Sequence, residues 1–365
     1  MTSPPLRRAA AAALLSGLPL LAAAAGPAGA PAAGPAGFEA VVRDFARSQH
    51  FRGVVLVADH GKPIYRRAFG LASEEWRQPN RVDTRFRIAS LTKTFTAVLV
   101  MQAVEAGRLQ LDAPLARWLP AYAERPFAAV TVDELLTYAS GLSDHDQNDG
   151  MRPYQQPLDA AAFVEREAGG PLQSPPASRF AYKNVDYRLL EQLLEAVEGK
   201  PFATLVDARI VKPLGLRDTA MLASGDLVPR LASAYVVDAD TAPGVLRADP
   251  PYFPESFGAA GAMRSTVDDL LRFDSALREH RLLNRQSTDT MLRAHEALGY
   301  VAYGFWTYPC SVAGRDTRCA ERQGAIQGSN ALWLRDLDHG RSFIVLSNSN
   351  EADLQKLKAL MTDVP

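Results

Sequence analysis

Cysteine is almost absent from this sequence, since only Cys310 and Cys319 occur among its 365 residues. The six histidines show no spacing typical of a metal motif, so we predict no metal site and no other cofactor. We expect these histidines to be surface or packing residues; they are His50, His60, His145, His280, His295 and His339.

Several other motifs are also missing. No Gly-x-Ser-x-Gly turn occurs, which removes the anchor of an ordinary α/β-hydrolase triad, and no glycine-rich nucleotide loop is present. The 40 basic and 41 acidic residues are interspersed, with a net charge of -1, so nothing favours binding to nucleic acid or a membrane surface. We therefore expect a small-molecule or peptide substrate as the partner, and a monomeric protein.

The N-terminal segment has the pattern of an export signal. Two arginines precede an apolar run from Ala9 to Ala25 that ends in small residues, which predicts a cleaved signal peptide over residues 1–25. A membrane anchor is the alternative, but the run is shorter than the roughly 20 residues a span needs, and Gly17 and Pro19 interrupt it. We predict an exported protein, periplasmic or secreted, without a membrane span after cleavage.

The rest of the chain divides by composition. Residues 26–37, rich in Pro, Ala and Gly, are predicted to form a linker, and residues 38–365 a single domain with enough apolar residues for a large core. Strand-like segments lie at both ends of that domain, with a mainly helical insert at roughly 109–277 between them. This order predicts an α/β (α+β) fold in which both ends contribute strands to one sheet.

The two cysteines flank a short segment, Ser311–Arg318. Because the protein is predicted to be exported and no other thiol competes, we predict that Cys310 and Cys319 form a disulfide.

A serine and a lysine three residues apart, Ser90 and Lys93, stand at the start of an apolar run from Leu91 to Ala106 that predicts a buried helix. This spacing places the hydroxyl and the amine on one face of the helix. Lys93 could then accept the proton of Ser90 and make it a nucleophile. The alternative is a helix-capping serine beside an exposed lysine.

A second pattern is Tyr182-Lys183-Asn184. In an extended segment, residues two apart point to the same side, so Tyr182 could relay a proton while Asn184 holds a substrate amide. Alternatively, Tyr182 is a core aromatic and Asn184 a helix cap.

The third pattern is Arg322-Gln323-Gly324-Ala325, in a segment predicted to be an edge strand. Arg322 could bind a substrate carboxylate, and Gly324 lets a ligand approach the backbone. The N–H groups of Ala325 and Ser90 could form an oxyanion hole. The alternative is a solvated strand arginine.

Together these patterns resemble the active-site motifs of class C β-lactamases, D-alanyl-D-alanine carboxypeptidases and related serine hydrolases. The resemblance extends from about Phe38 to the C-terminus. It is carried by Arg85–Ala97, Tyr182–Asn184, Leu109–Leu115, Val130–Leu142, Pro213–Thr219 and Gly261–Leu270. It implies an antiparallel sheet flanked by helices, a β-lactamase/transpeptidase-like fold, a covalent acyl-enzyme and no metal.

The sequence departs from that family at Arg322, where a lysine or histidine is usual. Arginine cannot be neutralised at ordinary pH, so we do not expect proton relay through Arg322, and β-lactamase activity is placed in doubt. The predicted function is hydrolysis of an amide, β-lactam or ester carbonyl with Ser90 as nucleophile. The alternative is a non-hydrolytic penicillin-binding sensor or scaffold.

Overall fold

The computed structural model describes residues 36–143, 150–238 and 244–365. The predicted signal peptide and most of the predicted linker lie outside the described residues, as does His145. The domain boundaries given above therefore stay predictions.

The strands begin and end as follows. They are β1 (Gly53–Asp59), β2 (Lys62–Phe69), β3 (Leu71–Ser73), β4 (Gln78–Pro79), β5 (Phe86–Arg87), β6 (Ala220–Met221), β7 (Tyr235–Val237), β8 (Leu246–Ala248), β9 (Met263–Ser265), β10 (Val301–Ala302), β11 (Phe305–Val312), β12 (Arg315–Ile326), β13 (Ser329–Asp336) and β14 (Arg341–Ser347).

The α-helices lie mostly between the two groups of long strands. They are α1 (Ala36–Ser48), α2 (Thr92–Glu105), α3 (Val132–Leu136), α4 (Ala160–Glu167), α5 (Asn184–Glu198), α6 (Phe202–Val206), α7 (Lys212–Leu214), α8 (Pro254–Phe257), α9 (Val267–Arg278), α10 (Arg285–Met291) and α11 (Leu354–Thr362). None of the helices in these ranges combines the length and the apolar character that crossing a membrane requires.

The long strands form one antiparallel sheet of seven strands, in the order β10-β11-β12-β13-β14-β1-β2. Strands from both ends of the chain meet where β14 pairs with β1, as the sequence predicts. The predicted antiparallel sheet flanked by helices is confirmed.

Both faces of this sheet are covered, which explains the continuous apolar sequence of β1. Its side chains alternate between faces. Val55 and Val57 pack in a cluster with residues of α1 and α11, whereas Val54 and Leu56 pack in the larger cluster that contains α2 and α9. The active-site motifs lie on the side of this larger cluster.

Helix α2 runs through the larger cluster, and 11 of its residues are buried. A helix that is apolar on all sides belongs in the interior of a protein. Its N-terminus is therefore fixed by packing along almost its whole length.

One prediction is wrong: the segment with Arg322 was predicted to be an edge strand, but β12 lies inside the sheet between β11 and β13. However, its pairing with β11 ends at Glu321, whereas its pairing with β13 continues to Ile326. The segment after Glu321, which includes Arg322 and Gly324, has no β11 residue paired with it. That segment lies against the turn Ala89–Leu91.

The predicted disulfide between Cys310 and Cys319 is present, with the Cα atoms 5.9 Å apart. The two residues lie on neighbouring strands, β11 and β12, near the end of the hairpin that joins them. The bond thus closes the hairpin whose second strand carries Arg322.

Replacing both Cys310 and Cys319 with alanine is expected to lower the free energy of unfolding by about 2–3 kcal/mol, because a closed loop of this length restricts the unfolded chain by that amount. Denaturant unfolding of the two proteins measures the difference. Dithiothreitol should destabilise the parent protein and leave the double variant unchanged. Equal stability of variant and parent would contradict a stabilising role for the bond.

Candidate active site

Ser90 lies in a 3-10 turn, Ala89–Leu91, that leads directly into α2. Ala89 has a φ of +46°, a left-handed conformation that is unfavourable for a residue with a side chain. Two backbone hydrogen bonds hold this turn, from Ile88 N–H to Met263 O and from Leu91 N–H to Ile88 O, each 3.0 Å long. The strained turn presents the hydroxyl of Ser90 at the N-terminus of a buried helix.

Lys93 is buried, so the alternative of an exposed lysine is wrong. Its Nζ donates to Ser90 Oγ at 3.2 Å, to Asn184 Oδ1 at 2.7 Å and to the carbonyl oxygen of Ala260 at 2.7 Å. An ammonium group has three N–H donors, and these three acceptors match them in number.

Tyr182 contacts the same hydroxyl from another direction. Its Oη lies 2.7 Å from Ser90 Oγ and accepts a hydrogen bond of 2.9 Å from Nη2 of Arg322. Burial by itself would raise the pKa of Tyr182, but the positive charges of Lys93 and Arg322 outweigh it and lower the pKa to about 8. Tyr182 is therefore closer to ionisation at neutral pH than an ordinary tyrosine.

Asn184 is the first residue of α5, and Lys183 occupies the N-cap position, so the helix-cap alternative for Asn184 is wrong. Its Oδ1 accepts from Lys93, and its Nδ2 donates to Tyr154 Oη at 2.7 Å. These two bonds fix the orientation of the amide beside Lys93.

Arg322 is 1% exposed, which makes the alternative of a solvated strand arginine wrong. Its guanidinium donates to Ser90 O at 2.9 Å, to Tyr138 Oη at 3.0 Å and to Tyr182 Oη at 2.9 Å. It also lies 5.2 Å from the ring centroid of Trp306. Burial opposes the charge of this group, but interaction with the neighbouring tyrosines raises the pKa of Arg322 above its usual range.

Gly324 allows β12 to approach the nucleophile. A Cβ atom at this position would lie 2.5 Å from the carbonyl oxygen of Ile88 and 3.0 Å from the amide nitrogen of Ser90. Only glycine avoids that clash. The backbone of Gly324 and Ala325 is thus brought alongside Ser90, where the oxyanion hole is predicted.

Three further residues of this network were given no role from the sequence, although one of them, Tyr138, lies in the segment Val130–Leu142 named above. Tyr138 has a φ of +56°, is buried, and accepts from Arg322. Tyr154 accepts from Asn184, and Trp306 stacks on the ring of Tyr182 at 6.3 Å between centroids. Each comes from a distant part of the sequence, so no local spacing connects it to the motifs.

A cavity of about 510 Å³ opens beside Ser90. Tyr182, Arg322 and Ala325 lie along its wall, and so do the aromatic residues Trp306 and Tyr308. Within the described ranges, no group of three or more His, Cys, Asp or Glu side chains lies close enough together to hold a metal ion.

The chain resembles known proteins over nearly its full described length. The family model described as Beta-lactamase matches residues 38–364. Esterase EstB of Burkholderia gladioli is 31% identical over 85% of this chain and 89% of its own length. Penicillin-binding protein 4* of Bacillus subtilis is 26% identical over 82% of this chain and 69% of its own.

A solved structure has a similar fold. The penicillin binding protein from Bacillus halodurans superposes with a TM-score of 0.76 and 27% identity, covering 87% of this chain and 98% of that protein. The family match over residues 38–364 and the identity with an esterase therefore show that this chain belongs to the Beta-lactamase family of serine hydrolases.

Proposed function

We propose that the protein hydrolyses an ester or amide carbonyl through a covalent intermediate on Ser90. One observation carries this proposal: the hydroxyl of Ser90 lies within 3.2 Å of both Lys93 Nζ and Tyr182 Oη, two groups that can move protons. A serine with two such neighbours is equipped for nucleophilic attack.

The contacts support Tyr182 as the group that accepts the proton of Ser90. Lys93 has an acceptor for each of its three N–H bonds, so its positive charge is stabilised, whereas the pKa of Tyr182 is lowered to about 8. Lys93 then holds Asn184 and Ser90 in place and stabilises the phenolate of Tyr182.

The proposed reaction has two halves, acylation and deacylation of Ser90. Ser90 Oγ bonds to the carbonyl carbon while its proton passes to Tyr182; the bond to the leaving group then breaks, and the leaving group takes that proton. In the second half, water attacks the acyl carbon and gives one proton to Tyr182. The bond between Ser90 Oγ and the acyl carbon then breaks, Tyr182 returns the proton to Ser90 Oγ, and the acid is released. The N–H groups of Ser90 and Ala325 are proposed to stabilise the oxyanion in both halves.

Intact-mass measurement after exposure to a fluorophosphonate, a penicillin and a p-nitrophenyl ester tests this proposal. We expect one adduct per chain, located on the peptide that contains Ser90. The penicillin arm tests acylation by a β-lactam, and the ester arm tests turnover. An adduct on another residue, or none with any of the three, would refute the assignment of the nucleophile.

Arg322 has two candidate roles. The sequence suggested a clamp for a substrate carboxylate, and that role stays a prediction. The contacts favour a second role, because three of the guanidinium's hydrogen bonds go to Ser90 O, Tyr138 and Tyr182 within the protein. We propose that Arg322 is a positioning residue that lowers the pKa of Tyr182.

The pH dependence of kcat/KM distinguishes these roles. In the parent protein, activity should rise as pH increases through about 8, since the base is the deprotonated form of Tyr182. Removing the positive charge in Arg322→Ala raises the pKa of Tyr182, so the midpoint should move upward by about one to three units, and Arg322→Lys should recover part of the shift. If the midpoint does not move and kcat/KM falls only for carboxylate-bearing substrates, Arg322 is a carboxylate clamp instead.

We infer that the protein works outside the cytoplasm, in the periplasm or the medium. The disulfide between Cys310 and Cys319 supports this location, because such bonds persist in oxidising compartments. Free thiols at both positions in protein isolated from its natural source, detected by alkylation, would contradict it.

A further inference from the structure

The cavity beside Ser90 extends past the groups that carry the chemistry. One wall is aromatic, made by Tyr300, Trp306 and Tyr308. Polar side chains line the cavity as well, among them Glu321 of β12, which accepts a hydrogen bond from Tyr308, and Lys358 of α11. The reaction proposed above uses none of these five side chains.

Glu321 is the centre of these polar side chains. Its Oε2 accepts from Lys358 Nζ at 2.8 Å and from the hydroxyl of Tyr308, and its Oε1 accepts from Gln323 Nε2 at 2.8 Å and from Gln355 Nε2 at 3.0 Å. Burial would raise the pKa of Glu321, but these hydrogen bonds, led by the one from Lys358, lower it, so the carboxylate stays ionised.

The charge of Lys358 is therefore compensated inside the protein. The other cation along this cavity, Arg322, is buried and directs three hydrogen bonds to Ser90, Tyr138 and Tyr182. A substrate carboxylate entering this space would meet the ionised Glu321 and would have to displace an existing ion pair. An uncharged group would not have to displace this ion pair, and the aromatic side chains favour contact with an apolar group.

We propose that this cavity binds an uncharged, aromatic or otherwise apolar group next to the scissile carbonyl, and that Glu321 determines this specificity by neutralising Lys358. The inference rests on the proposed function, since it names the substrate class of the same site. The preferred substrates are neutral esters with one bulky apolar side.

The decisive variant is Glu321→Gln, which keeps the size of the side chain and removes its charge. Lys358 then faces the cavity without its counter-ion and is available to a substrate carboxylate. A charge-assisted hydrogen bond of this kind corresponds to about a tenfold gain or more.

Two pairs of esters, matched in size, measure this gain. The first pair, 3-acetoxybenzoate and 3-acetoxybenzamide, differs in the charge of the leaving group. The second pair, phenyl 4-carboxyphenylacetate and phenyl 4-carbamoylphenylacetate, differs in the charge of the acyl group. In the parent protein, kcat/KM should be higher for the neutral member of at least one pair, and that pair identifies which side of the substrate the cavity holds.

In Glu321→Gln, the ratio of kcat/KM for the charged over the neutral member of that pair should rise about tenfold. The double variant Glu321→Gln/Lys358→Met should lose this gain, because it removes the released cation. Glu165→Gln is the matched control: it removes an exposed carboxylate that is paired with Arg125 and does not line the cavity, so the ratio should stay unchanged.

The same comparison can be made without turnover, by measuring ligand binding to Ser90→Ala and to Ser90→Ala/Glu321→Gln. The first pair of ligands is 3-hydroxybenzoate and 3-hydroxybenzamide. The second pair is 4-carboxyphenylacetamide and 4-carbamoylphenylacetamide. If no ester is hydrolysed but the binding ratio shifts, the proposed function fails and the specificity inference holds. If esters are hydrolysed in a Ser90-dependent way but neither ratio changes in a folded Glu321→Gln variant, the inference is overturned and the function holds. A similar rise in Glu165→Gln would also overturn it.

Discussion

Replacing Ser90 with alanine is expected to abolish both covalent labelling and turnover, with a loss of kcat on the order of 10⁴-fold or more. The physical reason is that Ser90 Oγ forms the bond to the substrate carbonyl, and alanine has no atom that can do so. Labelling with a fluorophosphonate and steady-state kinetics on a p-nitrophenyl ester measure the two effects.

The change should leave the fold intact, because it removes one partly exposed hydroxyl from a turn that backbone hydrogen bonds hold. An unchanged thermal unfolding midpoint serves as the control. Turnover of the ester at the parent rate by a folded Ser90→Ala protein would show that the nucleophile lies elsewhere.

Tyr182→Phe is expected to lower kcat/KM by about 10²–10⁴-fold, the range for a proton-transfer group, and Lys93→Ala by a similar factor, because it removes a charge that lowers the pKa of Tyr182. The two side chains share one hydroxyl, and the charge of Lys93 lowers the pKa of Tyr182. They should therefore act as a unit, and the double variant should lose much less than the product of the two single losses.

Kinetics of the four proteins on one neutral ester give this comparison. Tyr122→Phe is a suitable control, because it also removes a tyrosine hydroxyl. That hydroxyl is hydrogen-bonded to Gln192 and not to the catalytic groups. Single losses that multiply in the double variant would contradict a shared proton path.

Local sequence was sufficient for the first motif. Ser90 and Lys93 are three residues apart at the start of a helix, and helix geometry alone brings their side chains together. Tyr182 and Asn184 both lie beside Lys93, but Asn184 is the first residue of α5, so the two do not share one extended segment as predicted. Spacings within one element can be predicted because the backbone fixes them.

Arg322 shows where local sequence was insufficient. Its identity predicts a positive charge, and alternation along a strand predicts which neighbours share its face, but neither predicts that this face is buried. The burial follows from the groups that contact the guanidinium, Ser90, Tyr138 and Tyr182, and all three come from distant segments.

By itself, the sequence determined the fold class, the disulfide and the pair Ser90–Lys93, because each depends on periodicity, composition or short spacing. The tertiary structure alone decided which groups surround them. Tyr138 reaches Arg322 across 184 residues, and Lys358 reaches Glu321 across 37. Such contacts are set by how helices and strands pack, so the charge balance of the cavity, and with it the proposed preference for neutral substrates, can be read only from the folded chain.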